Sequence, residues 1–589
     1  MMKIILGLSF GFHDAAAALV ADGVVIAAAQ EERFSGAKND ASYPTNAIDF
    51  CLDRAQIDPT DLEQVVFYER PLKRFGRILE NAQALGQGGE RLIRRAFTHW
   101  FEQEKFEVAA QISDHLGIPA SKIAEIDHHQ SHTASAYYGS PFGAAAVVTL
   151  DGVGERETAT ISKAQGGTLT KLAETKFPHS LGLFYSAFTA YLGFEVNEGE
   201  YKVMGMAAFG EPAHAANLRE LITISPDGVL KLEQSNFVFD GSTDLPYSDA
   251  LTEWLGPARA PESTFDFTGA GADNEVIRQS RHYADVAASV QKCTEDVIIE
   301  YASAAQKLTG EDDLCLAGGV ALNSVANGRM ARELPGRLFV QPAAGDAGGA
   351  LGAALYWHHQ EAAAPRSSAF TDPYLGLEFS DDEIEAAISD AYLKNVTALK
   401  DVDACASRAA ELIKEGAVIG WFQGRAEWGP RALGNRSILA DPRRADMKDT
   451  VNEKIKFREP FRPFAPSVLK ERAADYFDLN AGSEPWSPER FMLATCQVHP
   501  EMTAAIPAIV HADGSARVHL VDSDVNPAFA GLIKAFDQAT GVPMLLNTSF
   551  NLRGEPIVNS PADAIRIFVW CGMDHLVLGR HLISKDGSG

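Results

Sequence analysis

The chain is short of several things, and each shortage excludes a class. Of 589 residues only six are cysteine, and no two form a Cys-x-x-Cys pair. A disulfide framework and a thiolate zinc site are therefore not expected, and a reducing cytoplasmic setting suits the chain. Positive charge is also short: 52 Lys and Arg face 79 Asp and Glu, a formal net charge of −27. Nonspecific binding to nucleic acid or to an anionic membrane is excluded on that ground. No apolar run approaches the roughly 18 residues of a membrane span. The opening "MMKIILGLSF" is apolar, but His13 and Asp14 interrupt it before any cleavage site, so it is not read as a secretory signal. Short repeats and long low-complexity tracts are absent as well.

What is present is a chain too long for one core, with 46% hydrophobic residues to fill several. "ALVADGVVIAAAQ" reads as strand, Asp22-Gly23 turn, strand. "TNAIDFCLDRAQI" follows as a helix. From residue 144, "AAAVVTLDGVGERETATISKAQGGTLTKLAETKF" repeats the theme as three strands joined by turns. Later, "DDLCLAGGVALNSVANGRM" and "RLFVQPAAGDAGGALGAALYW" each give a strand, a Gly-rich turn and a helix. A duplicated α/β lobe with a cleft between its halves is the natural reading. The segment 361–376, "EAAAPRSSAFTDPYLG", loses all periodicity and reads as a linker. Domains of 1–365 and 373–589 result, the second also α/β from strands in "AVIGWFQGR", "PMLLNTSF" and "HLVLG".

Four constellations carry chemistry. In "HHQSHTASAYYGSPF", His128 and His132 are one helical turn apart, so both rings can meet one ion, while His129 points elsewhere. Asp151 and Asp346, at strand ends in "TLDGVGE" and "GDAGG", are candidates to complete a shell. Such donors suit Fe(II), Zn(II) or Mn(II) better than Ca(II). Capping or surface histidines would show the same spacing. Second, "AGGVALNS" and "GDAGG" place Gly318, Gly319, Asn323, Gly345 and Gly348 at strand-to-helix turns, where backbone N–H groups can approach a nucleotide phosphate. Ordinary tight turns read alike. Third, residues 425–462 hold ten Lys and Arg against six Asp and Glu, a local +4 in an acidic protein. Arg425, Arg431, Arg436, Arg443, Arg444, Lys454, Lys456, Arg458 and Arg462 alternate with Gly, Pro, Trp428 and Phe461, so the backbone is irregular and an anion is welcome. "LLNTSFNLRGEP" adds Asn547, Ser549, Asn551 and Arg553; a salt-bridged surface is the plain alternative for the cations. Fourth, "NEGEYKVMGMAAFGEP" carries Lys202 in what is either a binding loop or a connector.

In order, "FHDAAAAL", "EERF", "HHQSH", "GEYKVMGMAAFG", "GGVALN", "WGPRALGNRS", "KFREPFRPFAPS" and "LNTSFN" resemble the nodulation-type and antibiotic-tailoring O-carbamoyltransferases, nearly end to end. That resemblance implies a first lobe like the tRNA threonylcarbamoyl transferase, of the actin/sugar-kinase superfamily, and a YrdC-like second lobe. It implies ATP, with Mg²⁺, and carbamoyl phosphate as substrates, a carbamoyl-adenylate intermediate, and transfer to the hydroxyl of a small molecule beside Fe(II) or another divalent metal. On the matching positions, His128, His132, Asp151 and Asp346 take the metal. His13, Asp14 and Lys202 fall at the transfer site, with His13 the candidate base. Arg431, Asn435, Arg436, Lys454, Lys456, Arg458, Arg462, Asn547, Ser549, Asn551 and Arg553 fall in the carbamoyl phosphate and ATP region. A homodimer is implied too. A kinase on the same superfamily fold would make ADP instead, and an ATP-binding scaffold would make neither product. The hydrogenase-maturation relatives carry zinc-finger cysteines that this chain lacks.

Overall fold

The computed structural model describes residues 2–241, 244–267, 275–362, 366, 369–459, 461–480 and 484–585. The chain divides into two compact units, Met1–Ala28 with Ala41–Phe370, and Ala29–Asp40 with Thr371–Gly589.

The first unit holds two five-stranded sheets. One comprises β1 (Ile4–Ser9), β2 (Ala16–Ala21), β3 (Val24–Gln30), β4 (Gln64–Phe67) and β5 (Ile123–Glu125), in the order β3-β2-β1-β4-β5. The other uses β6 (Ala144–Leu150), β7 (Glu157–Gln165), β8 (Thr168–Lys176) and, after a small hairpin of β9 (Ile222–Ile224) and β10 (Leu230–Leu232), β11 (Leu314–Ala317) and β12 (Leu338–Val340). Its order is β12-β11-β6-β7-β8. Read from the hairpin edge, the two sheets match: β1 is antiparallel to β2 and parallel to β4, just as β6 is antiparallel to β7 and parallel to β11. The duplication expected from the two strand-rich openings is thus visible in the pairing.

Local sequence explains these elements. Asp22 and Gly23 both take positive φ, 47° and 81°, the two-residue turn that right-twisted strands favour. Both β1 and β2 are buried along their whole length, hence their unbroken apolar runs. Removing one such side chain, Leu6 or Val147, to Ala would cost about 2–5 kcal/mol.

Two helices position the site. The histidine helix, His128–Gly139, starts at Asp127, whose carboxylate and Gln130 form a reciprocal capping box. The glycine helix, Ala347–Tyr356, follows Asp346. Three glycines in ten residues disfavour a helix, by about 1 kcal/mol each against Ala. Close approach is the reason for them. A Cβ on Gly352 would lie 1.8 Å from Ser131 O of the histidine helix, and one on Gly7 in β1 would lie 1.9 Å from Ala350 O. The glycine helix is held between that strand and that helix.

The second unit is built on an eight-stranded mixed sheet. Its strands are β13 (Val396–Ala398), β14 (Ile419–Phe422), β15 (Arg436–Ala440), β16 (Ala465–Leu469), β20 (His519–Val521), β21 (Met544–Ser549), β22 (His575–Leu578) and β23 (His581–Ser584), in the order β13-β23-β22-β14-β15-β21-β16-β20. Beside it β17 (Phe477–Asp478), β18 (Thr495–Val498) and β19 (Ser515–Arg517) form a small antiparallel sheet. The contiguous domains expected from sequence miss one feature. Ala29–Asp40 belongs to this unit, because Arg33 is buried and donates from Nη2 to Gly429 O at 2.8 Å. Among the described residues no helix is long and apolar enough to cross a membrane.

Candidate active site

The first unit brings His128, His132, Asp151 and Asp346 together, all buried, with one ligand atom from each within 4.8 Å of the others. His128 Nε2 stands 3.0 Å from His132 Nε2, 3.1 Å from Asp151 Oδ2 and 3.7 Å from Asp346 Oδ1. His132 Nε2 is 3.7 Å from Asp346 Oδ1 and 4.0 Å from Asp151 Oδ2. Ligands about 2.1 Å from one ion are ~3.0 Å apart at right angles and ~4.2 Å apart when opposed. The five separations that involve a histidine fall in that interval, which suits ligation of a single divalent ion. Both rings turn Nε2 to this centre, while both Nδ1 atoms are buried without a partner. Ligation through Nε2 would itself fix the proton on Nδ1.

The surroundings hold the tetrad in place. Gly319 N donates to Asp151 Oδ1 at 2.9 Å, and Tyr68 Oη donates to Asp346 Oδ2 at 3.4 Å. Glu155 accepts the His128 backbone N–H at 2.9 Å. His13 Nε2 lies 3.9 Å from Asp346 Oδ2, and its Nδ1 is 2.9 Å from Asp14 Oδ2. Burial disfavours charge on His13 and His128, but Asp346 and its neighbours outweigh it and raise both to about 9. Burial works against ionised carboxylates too, yet His13 and His128 bring Asp346 down to about 2. The pocket therefore demands positive charge, which suits a cation. Neutralising Asp346 removes the strongest influence holding the proton on His13. His129 differs. It lies between Thr149 Oγ1, 2.7 Å from Nδ1, and Glu157 O, 3.0 Å from Nε2, and burial pushes it down to about 3. It is a neutral brace between the helix and the sheet.

The second unit holds a concentration of cations. Lys456 is buried; its ammonium donates to Ser549 O at 2.7 Å and to Asn551 Oδ1 at 2.5 Å. Burial first, then Arg458 and Arg462, push its pKa well below the ordinary lysine value. Arg517, at the end of β19, is depressed in the same way by burial and by Arg431, Arg458 and Arg462, and its Nε is buried without a partner. Lys448 is lowered by burial, with Arg458 adding to it. So many mutually repelling cations, one with an unanswered donor, suit a multiply charged anion.

Family models decide the identity. Residues 4–355 match the carbamoyltransferase N-terminus and residues 410–585 the carbamoyltransferase C-terminus. The chain belongs to the carbamoyltransferase family. This carbamoyltransferase is 41% identical to the uncharacterized protein sll1178 of Synechocystis sp., over 99% of this chain and 97% of that one. It is 35% identical to nodulation protein NolNO of Sinorhizobium fredii, over 97% of this chain and 79% of that one. With nodulation protein NolO of Bradyrhizobium diazoefficiens it shares 37% identity over 78% of this chain and 79% of that one.

The other residues that sequence singled out in the carbamoyltransferase have these surroundings. Arg436 is fully buried, and its guanidinium serves backbone carbonyls of Gln423, Asn435 and Leu377 while stacking 3.6 Å above Phe422. Its position in β15 turns it into the interior of the unit. Asn435 bridges Arg425 O and Asn526, a structural contact. Asn547 is buried against Ala432 O and Ser467 Oγ. Lys454 is exposed, and its carbonyl accepts from Gly572 N. Arg553 faces Glu459 at 3.9 Å. In the Gly-rich turns, Gly319 gives its N–H to Asp151 and Gly348 gives its N–H to Gly345 O. Gly318 takes φ 95° where the chain passes Leu150 O. Asn323 caps the helix Ser324–Glu333. Lys202, on the helix Glu200–Ala207, rests over Phe194 at 5.7 Å and is not brought into the tetrad. Sequence reasoning missed Arg517, whose signal was a lone cation in the strand-like "SARVHLV", and Tyr68 and Glu155, which gave none.

Proposed function

We propose that this carbamoyltransferase works in two half-reactions, one in each unit. The second unit, read as YrdC-like, makes carbamoyl-adenylate from carbamoyl phosphate and ATP. Water releases phosphate from carbamoyl phosphate, the carbamate oxygen attacks the α-phosphorus, and pyrophosphate leaves. Lys456, Arg458, Arg462, Arg431 and Arg517 offset the charge of these substrates, which is mostly positioning and electrostatics.

The first unit, read as actin/sugar-kinase-like, carries the transfer. The acceptor hydroxyl oxygen attacks the carbamoyl carbon, the bond from that carbon to the adenylate oxygen breaks, and AMP leaves with the electron pair. His13, 3.9 Å from Asp346 and oriented by Asp14, would take the hydroxyl proton once Asp346 is neutralised by a bound cation and His13 has given up the proton that Asp346 holds on it. His128, His132, Asp151 and Asp346 would hold Fe(II) or another divalent ion, which supplies positive charge for a carbonyl or phosphate oxygen when bound.

The observation that carries this reading is the buried tetrad with His13 beside it, in a chain the carbamoyltransferase models cover almost end to end. Incubation with ATP, Mg²⁺ and carbamoyl phosphate, read by mass spectrometry, tests it. AMP and pyrophosphate formed only with carbamoyl phosphate support it. ADP as the sole nucleotide product refutes it and favours a kinase.

A further inference from the structure

We infer that a cavity of about 430 Å³ beside the Asp151–Gly154 loop is the acceptor subsite, and that the acceptor is an alcohol with an apolar body. This rests on the two-step reading above and adds the substrate class.

The loop ties cavity to tetrad. Asp151 is at one end of it, and Val153, two residues on, lines the cavity. Two residues span at most ~7 Å, so the wall at Val153 lies within that distance of the Asp151 backbone. Gly154 packs its backbone on the His128 ring, where a Cβ would be 2.8 Å from Cδ2. Its carbonyl accepts from Arg77 Nη1 at 2.9 Å, and Arg77 lies 5.3 Å over Phe177, both in the cavity wall. On the other side, Ser180 Oγ donates to Gly152 O at 2.7 Å and caps the helix that brings Leu183 to the wall. One loop thus fixes a tetrad carboxylate, a histidine ring and one side of the cavity together.

Polarity sets the class. Ten of fifteen lining residues are apolar. Of the four polar side chains, Arg77 is engaged by Gly154 O and Asp244 by Arg95 at 3.3 Å, which leaves Asn81 and Asp240 as the other polar groups in a mostly apolar wall. A polyol or aminoglycoside would bury hydroxyls or ammonium groups against this wall, at about 1–3 kcal/mol for each left unmet. An alkyl, alicyclic or aromatic body would not. The volume lies in the range of small-molecule sites. In the wall Leu245 is 52% exposed, a large apolar side chain facing solvent.

Binding of the uncharged fluorophore N-phenyl-1-naphthylamine to the full chain tests this without turnover. Leu245→Asp should weaken binding at least tenfold, while Leu72→Asp, exposed and outside the cavity, should not. 4-Cyclohexylbutan-1-ol should displace the dye; glucose and kanamycin should not. With ATP and carbamoyl phosphate added, mass spectrometry should find the displacing alcohol carbamoylated. Dye binding indifferent to Leu245→Asp overturns the cavity. Preferential carbamoylation of glucose or kanamycin overturns the acceptor class, as does carbamoyl-adenylate formation with no apolar alcohol accepted. Absence of AMP and pyrophosphate indicts the two-step reading instead, and dye competition still decides whether the cavity takes apolar alcohols.

Discussion

Replacing Gly352 by Ala should dismantle the tetrad without touching any of its members. The new Cβ would lie 1.8 Å from Ser131 O, where a normal carbon–oxygen contact needs about 3.2 Å. The glycine and histidine helices must part by about 1.4 Å, since the clash is with backbone on both sides. Asp346 leads into the first helix, and His128 and His132 lie on the second. Their separations of 3.7 Å would grow towards 5 Å, and ligand atoms held to one ion tolerate only about 0.2 Å of error in bond length. Overpacking alone costs about 1–3 kcal/mol, which the fold can survive. Metal content after equilibration with Fe(II), Mn(II) or Zn(II), read by mass spectrometry, should fall at least tenfold. Gly143→Ala, with nothing within 4 Å of its new Cβ, should leave it unchanged. If Gly352→Ala binds the same ion with unaltered stoichiometry and affinity, the helix spacing does not set the tetrad.

Other perturbations separate the parts. Asp151→Asn keeps an oxygen for the Gly319 N–H, so the protein should fold and form carbamoyl-adenylate, but lose metal by ten- to a hundredfold and with it transfer. Unchanged metal content would exclude Asp151 as a ligand. Arg517→Met should abolish stabilisation by phosphate, about 2.7 kcal/mol at a hundredfold excess over Kd in the wild type, while raising the melting temperature without phosphate, since it relieves repulsion by Arg431, Arg458 and Arg462. A variant that keeps its phosphate response would refute the anion site. His519 is buried against Ser467 Oγ at 2.8 Å, and burial, then Arg490, lowers it to about 3. Its folded value lies below the unfolded 6.5, so it leaves stability unchanged above pH 6.5 and removes it as pH falls towards 3. At pH 5 the loss is about 2 kcal/mol. Denaturant titrations should show His519→Gln losing that much less between pH 7 and 5; parallel curves would refute the shift.

The strand pattern was legible because it is local. Asp22-Gly23 and Gly166-Gly167 mark the hairpins by backbone geometry alone, and residues one helical turn apart must share a face. The tetrad carboxylates could be picked out because Asp151 directly follows an apolar strand and precedes Gly152, and Asp346 sits in the Gly-rich turn after another. Orientation was not legible. Among the arginines, sequence counts charge but not facing, so Arg436, which β15 turns inward, could not be told from Arg431. Arg517 went unseen because it is brought to the cluster by the small sheet, more than fifty residues from its partners. Nor could the Gly-rich turn reveal its own use: an N–H free to meet phosphate is equally free to meet Asp151.

The segment Ala29–Asp40 has a consequence for how the protein is made. Arg33 completes the second unit, yet a ribosome delivers it before almost all of the first unit and more than three hundred residues ahead of Thr371. The second unit cannot close until the last part of the chain emerges, so it cannot be assembled from its C-terminal stretch alone. A gene cut at the linker would yield a C-terminal product lacking Arg33, while the N-terminal product carried that arginine without Gly429 to receive it. Fusion and order of the two halves in one reading frame are therefore built into the architecture.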